Sequence, residues 1–334
     1  MLFGFIKRQN ENVRLQIMVV AVGVLLLLSK FVAFFLTNSN AILTDALESI
    51  INVVAGAFSL YSLILSARPR DENHPYGHGK IEFIAATLEG SLILIAGGII
   101  IFKSVYNLIE PVELNQLDFG IILIAVSGAV NYGVGYLTVV RGKQSKSMVL
   151  TAGGRHLMSD AYSTAGILVG LLLIYLTGQV WLDSAVAILF GLIICFTGFR
   201  ILRGSVAGIM DEADYELLKD IVKVLNENRR PNWIDIHNLR VIKYGSTLHI
   251  DCHLTVPWYL NVLEAHDEVE AVGKVVREKI DPSIELFIHT DPCIEPSCAI
   301  CTKENCNHRQ HPYKARVEWE FEKVIADRKH RLDE

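Results

Sequence analysis

The first 204 residues are short of charge. They hold 14 Lys and Arg against 12 Asp and Glu, about 13% of positions, where a soluble domain carries about 25%. The remaining 130 residues hold 17 and 24, about 32%, with an acidic balance. The overall figures of 51% hydrophobic and 20% charged therefore average two unlike halves. A basic excess is also missing. The net charge is −5, which disfavours a nucleic-acid binder, since nothing is set up to meet phosphate. The apolar content is too high for disorder, and 6 cysteines in 334 residues are too few for a small disulfide scaffold. Internal repeats and low-complexity stretches are absent. What remains is a membrane half followed by a soluble acidic half.

Six stretches approach the roughly 20 apolar residues that cross a bilayer: 15–36, 41–66, 81–109, 117–140, 148–176 and 180–200. The first is too long for a cleaved signal peptide, and no small-residue cleavage site follows it. Basic residues mark alternate ends: Lys7, Arg8 and Arg14, then Arg68, Arg70 and Lys80, then Arg141, Lys143 and Lys146, and finally Arg203. The intervening loops, 37–40, 110–116 and 177–179, have no Lys or Arg. The positive-inside rule then puts both termini and the acidic half in the cytoplasm.

Ionisable groups inside such spans are costly and face the bundle interior or water. The second stretch contains Asp45, Glu48, Ser49 and Asn52, and the fifth contains Arg155, His156 and Asp160. His156 and Asp160, four apart, share a helix face. An imidazole beside a carboxylate suits a divalent metal such as zinc, with Asp45 as a third ligand from a neighbouring helix. The alternative is a helix–helix hydrogen bond. Lys30, Glu89, Lys103 and Asn131 are scattered over other spans. Between the second and third stretches, Asp71, His74 and His78 form a three-ligand pattern in a short Gly-rich loop. The alternative there is a pair of solvated histidines.

In the soluble half the periodicity predicts a helix over 215–228, strands over 234–243 and 247–256, a helix over 261–280 and a strand over 284–290. That order, αββαβ, makes a small sheet with two helices on one face. His249, Asp251 and His253 alternate along the second strand. With His237, His266, His289 and Asp291 they form a set able to hold one or two divalent ions, against the alternative of scattered surface histidines. Next come Cys293, Cys298, Cys301 and Cys306 with His308 and His311. This density favours a zinc site of thiolate and imidazole, with an iron–sulfur site, a redox-active pair or free thiols as alternatives. Cys195 and Cys252 read as inert packing residues. The final stretch, 313–332, reads as a charged helix with Val317, Phe321 and Ile325 on one side. The expected domains are 1–204, a connector 205–213, 214–292, and a Cys/His-rich tail 293–334.

Over residues 10–292 the chain resembles the cation diffusion facilitator transporters. The resemblance rests on Leu43-Thr44-Asp45-Ala46-Leu47-Glu48-Ser49, Asn73-His74-Pro75-Tyr76-Gly77-His78-Gly79-Lys80, His156-Leu157-Met158-Ser159-Asp160 and Ile288-His289-Thr290-Asp291-Pro292. It implies a homodimer with six transmembrane helices and a metallochaperone-like cytosolic domain, exporting a divalent metal in exchange for protons across the cell membrane. It implies a transport site between the second and fifth spans and a loop site at Asp71, His74 and His78. It also implies a binuclear cytosolic site at the positions of His237, His253, His266, His289 and Asp291. His249 is added by strand alternation alone. The sequence departs from the family at Ser49, where zinc and iron members carry a second carboxylate, and at Ala41, where zinc members often have histidine. Ser49, Glu48, Asn52 or a water would complete the shell. Oxygen-rich completion suits manganese or iron, whereas His156 keeps zinc and cobalt in play; zinc is the leading expectation. A membrane-anchored metal sensor or storage protein is the competing class. An intramembrane metalloenzyme is disfavoured, because no His-Glu-x-x-His motif occurs.

Overall fold

A computed structural model describes residues 2–37, 40–109, 118–177, 179, 181–245, 247–281 and 284–332. The side chains of some helical residues, Asp45 and Glu48 among them, lie outside the description. The chain divides into two compact units, residues 2–210 and 211–334.

Among the described residues the first unit forms six long helices: α1 (Leu2–Thr37), α2 (Asn40–Ser66), α3 (Ile81–Ile109), α4 (Asp118–Ser145), α5 (Met148–Thr177) and α6 (Trp181–Ile209). Among the described residues, Glu11–Val32 of α1, all of α3 and Ser184–Ile209 of α6 are long and apolar enough to cross a membrane. Large apolar side chains such as Phe102 and Phe196 are exposed on this unit, as lipid contact requires. Between helices in lipid, association rests on close packing rather than on water exclusion. Accordingly α3 and α6 meet through Gly90 and Gly198, where an added Cβ would come 2.8 Å from Leu202 N and 2.7 Å from Leu94 N. The expected connector at 205–213 is shorter than the sequence indicates, because α6 continues to Ile209. Ser205 sits fully inside the unit and accepts a 2.9 Å hydrogen bond from Thr87 of α3.

The second unit follows the order α7 (Tyr215–Glu227), β1 (Asp235–Tyr244), β2 (Thr247–Val256), α8 (Val262–Lys279) and β3 (Glu285–Pro292). β1 and β2 pair antiparallel, and β3 joins β2 in parallel after the crossover through α8 that a parallel pair needs. Leu218, Ile221, Val222 and Leu225 recur at i, i+3, i+4 and i+7 and are buried against Trp233, Ile236, Ile250, Leu254 and Val272. Asp214 caps α7 by accepting from Leu217 N, and Asn261 with Glu264 makes a capping box on α8. A register shift between His237 and Arg240 interrupts β1 at Asn238, whose φ is +53°. Such a bulge re-aims neighbouring side chains.

The expected terminal helix over 313–332 does not form. Only Phe321–Val324 is helical. The reason is that the stretch is tied down as a strap. Asn226 binds Trp319 at both N and O (3.1 and 2.8 Å), Arg229 donates to Val317 O (2.7 Å), and Arg229 lies 4.2 Å over the Trp319 ring. Trp319 is thereby buried at 2% exposure. These contacts take backbone groups that a helix would use internally.

Candidate metal centres

In the helical unit His156 is buried and stands between two carboxylates. Its Nδ1 lies 2.5 Å from Glu89 Oε2, and its Nε2 lies 3.9 Å from Asp160 Oδ1. Glu89 also accepts from Ser59 Oγ at 2.8 Å. Asp160 Oδ2 accepts from Asn52 Nδ2 at 2.6 Å. The imidazole thus has one nitrogen committed to Glu89 and the other facing Asp160. That is the arrangement in which a carboxylate fixes the tautomer of a metal-binding histidine. Ser49 is 6% exposed and accepts a 2.8 Å hydrogen bond from Lys30 Nζ. A cation on that hydroxyl opposes metal binding there, which leaves Asn52 as the better-placed of these two candidates for a fourth ligand. Asp45 and Glu48 fall outside the described side chains.

The loop before α3 brings its three candidates together. Asp71, His74 and His78 offer ligand atoms that all lie within 4.8 Å of one another. Asp71 Oδ1 is 3.0 Å from His74 Nδ1, Asp71 Oδ2 is 3.2 Å from His78 Nε2, and the imidazole centroids are 4.3 Å apart. Asp71 also accepts from the backbone N–H of Asn73 and His74 (3.0 and 2.7 Å). Some desolvation pushes its carboxyl up, but the His74 hydrogen bonds outweigh this and hold it below the usual range. Gly77 turns the chain at φ +91°, a conformation that suits glycine, so that His78 can fold back towards Asp71. His78 Nδ1 is buried without a hydrogen-bond partner.

In the sheet unit His237, His253 and Asp291 form a second close group. Asp291 is its hub: Oδ2 lies 3.3 Å from His237 Nε2 and 3.4 Å from His253 Nδ1, and Oδ1 lies 3.5 Å from His289 Nε2. Pairing of β1, β2 and β3 sets His253 opposite both His237 and His289. His249 does not join them. It shares the face of His253 but lies four residues away, about 13 Å along a strand. There it is buried, with Nδ1 3.3 Å from Glu285 Oε2. Alternation predicts the face, not the height. His266 is exposed on α8 and falls outside the close group.

Behind this group stands Asp235, two residues before His237 on β1 and 1% exposed. Its Oδ2 is 3.5 Å from His237 Nδ1, and its Oδ1 is 2.5 Å from His330 Nδ1. Burial pushes its carboxyl up, but the two imidazoles outweigh this and hold it well below the ordinary carboxylate range. The strap also sets Lys329 Nζ 3.8 Å from Asp291 Oδ2. Sequence spacing could have pointed to Asp235, which alternates with His237. Glu89 was visible only as a lone intramembrane acid, and nothing in the sequence links it to His156. Lys329 and His330 gave no signal.

All six cysteines are free. Burial in β2 pushes the Cys252 thiol up to about 12, in keeping with an inert packing role. Cys293, Cys298, Cys301, Cys306 and His308 line one cavity. His311 does not line it but stands 2.8 Å from Oε1 of Glu295, which does.

Residues 16–210 match the cation efflux transmembrane domain, and residues 213–293 match the cation efflux protein cytoplasmic domain. The chain belongs to the cation diffusion facilitator family. A Synechocystis sp. protein described as an uncharacterised transporter is 32% identical over 267 residues, covering 80% of this chain and 86% of its own length. The cation-efflux pump FieF of Salmonella arizonae is 28% identical over 284 residues, covering 84% and 92%. The manganese efflux system protein MneS of Bacillus subtilis is 27% identical over 279 residues, covering 82% and 93%. This facilitator is accordingly an integral membrane transporter of metal cations with a cytoplasmic domain. All but the first of the cavity cysteines lie beyond the two matched regions.

Proposed function

We propose that this facilitator is a homodimer that exports a divalent metal from the cytoplasm in exchange for protons, zinc being its leading substrate. The observation that carries the reading is His156, buried among apolar helices with Nε2 towards Asp160 and Nδ1 on Glu89. An anchor for a cytosolic sensor gains nothing from such groups in lipid, where each costs several kcal/mol. In the proposed cycle, metal binds His156, Asp160 and Asp45 in an inward-open state of a six-span bundle with both termini in the cytoplasm. Glu89 orients His156. After the bundle rocks, protons from outside compete for His156 and Asp160, because metal ligands must be deprotonated and imidazole exchanges protons near neutral pH. The loop group and the Asp291 group bind metal on the cytoplasmic side and stabilise the loaded dimer.

Manganese is the second reading. Lys30 donates to Ser49, and Asn52 donates its side-chain amide N–H to Asp160; turned over, the Asn52 amide offers a neutral oxygen, which suits a harder ion. MneS, one of the relatives, is a manganese efflux protein. Iron and cobalt are the remaining candidates. The deciding experiment measures metal-driven proton flux in proteoliposomes with zinc, manganese, iron and cobalt in competition, for the wild type and for Asp160→Ala. Loss of flux in the variant is expected. Full retention would overturn the site, and the order of competition decides the metal.

A further inference from the structure

The cysteines after β3 follow the spacing Cys293-x4-Cys298-x2-Cys301-x4-Cys306. A lone zinc ion would draw four thiolates into a tetrahedron with bonds of about 2.3 Å, and hence sulfurs about 3.8 Å apart. Among the described residues no three Cys, His or acidic ligand atoms in this region come within 4.8 Å of one another. Yet all four cysteines line the same cavity. Its volume is about 70 Å³, several times the roughly 10–15 Å³ that one water-sized sphere occupies. The four cysteines help to line a space larger than a single ion.

The frame around that space is built. A 3-10 turn, Glu295–Ala299, carries Cys298, with Ser297 Oγ accepting from Ile294 N at 3.2 Å. Arg309 donates to the carbonyls of Cys298 (2.8 Å), Cys301 (3.1 Å) and Lys303 (2.7 Å), which ties the cysteine loop into one piece. Tyr259 donates to Cys306 Sγ at 3.5 Å. Lys303 and Arg309 also line the cavity against one acid, Glu295, so the balance of charge favours an anionic occupant. Cysteines spaced x4 and x2 apart recur in ferredoxin-type iron–sulfur ligation, where each sulfur binds its own iron or shares one with a single neighbour.

We propose that Cys293, Cys298, Cys301 and Cys306 hold a polynuclear iron–sulfur cluster. The four thiols lose their protons as they bind iron, and the two neighbouring cations offset the charge. This proposal stands apart from the transport reading. β3 nevertheless links the two, since it carries Asp291 into the histidine group, and Cys293, which lines the cavity, follows it directly.

The test uses the full chain in detergent, purified without oxygen and reconstituted with ferric iron, sulfide and thiol, the ferric iron supplying the oxidised sites of the cluster and the thiol reducing part of it for any ferrous ones. Expected are iron and acid-labile sulfide in equal amounts, with broad visible absorption that bleaches on reduction. Cys298→Ser with Cys301→Ser should remove both, while Asp160→Ala and Asp291→Asn keep them. A wild-type chain that retains zinc at these cysteines and no sulfide overturns the proposal without any variant. So does a cluster that survives in the double cysteine variant. A failed transport assay would leave these measurements untouched.

Discussion

The helical unit and the sheet unit both gather imidazole and carboxylate, but they hold them differently. Within the helices of the first unit, away from the loop group, the polar groups already face one another: Lys30 on Ser49, Asn52 on Asp160, and Glu89 between His156 and Ser59. Lipid offers no water to a stray polar atom, which favours pairing with a protein partner. A metal arriving there exchanges partners. In the sheet unit three imidazoles turn towards one carboxylate, Asp291, at 3.3–3.5 Å, and β1 is bulged beside His237. A metal arriving there meets converging donors. The first arrangement suits a site that must release its ion, and the second suits one that keeps it.

The largest effects should separate the two units. Asp160→Ala is expected to abolish transport. Asp291→Asn should leave transport measurable and remove metal binding at His237 and His253, read by equilibrium dialysis of the full chain. If Asp291→Asn silences transport as completely as Asp160→Ala, the division of labour between the units fails. Glu89→Gln is the next step down. It keeps the size of the side chain but removes the charge that holds His156 Nδ1–H. Loss of such a partner typically costs 10–100-fold in metal affinity or activity. An unchanged concentration dependence of transport would show that Glu89 only packs.

The pattern of legibility follows the same division. Elements of the sheet unit could be read where apolar residues recur with the period of the element: Leu218, Ile221, Val222 and Leu225 repeat at helical spacing, and Leu248, Ile250, Cys252 and Leu254 alternate along β2. Asp71, His74 and His78 were legible for a similar reason, being close in sequence. Contacts between distant helices were not. Glu89 and His156 are 67 residues apart, and both lie in nearly uniform apolar segments whose periodicity does not tell which face meets which neighbour. His249 misled because a strand's period of two fixes the face and leaves height to register. The strap misled because Val317, Phe321 and Ile325 do sit at helical spacing, yet the groups that capture this stretch, Asn226 at the end of α7 and Arg229 just after it, are about ninety residues away.

A smaller effect tests how Asp235 supports the sheet unit. Its carboxyl is held low by His237 and His330. A depressed carboxylate contributes stability that is present above its unfolded value of about 3.9 and is lost as pH falls through the folded one. Acid should therefore loosen the strap before the buried core, and Asp235→Asn should remove that acid-dependent step. Hydrogen exchange at His330 N and Asn238 N, which bind Asp235 Oδ2 and Ala326 O, reads the effect. Exchange at both sites that is as slow at low pH as at neutral pH would sink this reading.

The smallest effect sharpens the comparison most directly, because it concerns how helices end. Asp214 accepts from Leu217 N at 3.1 Å and pairs with Lys243 at 2.5 Å. Burial pushes its carboxyl up, but the Lys243 and backbone hydrogen bonds outweigh this and hold it below the usual range. Helix termini in water leave backbone N–H groups that a side chain can satisfy, and removing such a cap costs about 1 kcal/mol. The ion pair adds little, being partly exposed. Asp214→Ala should therefore speed exchange in the first turn of α7 by roughly fivefold, as about 1 kcal/mol implies, and leave transport unchanged. The helical unit should not feel it, because α3 and α6 are held by the close approach at Gly90 and Gly198. Gly198→Leu, which drives a side chain into Leu94 N, should do the reverse: transport falls while exchange in α7 stays as it was. If Asp214→Ala slows transport instead, the end of α7 is part of the transport machinery, and the two units are less separate than their chemistry implies.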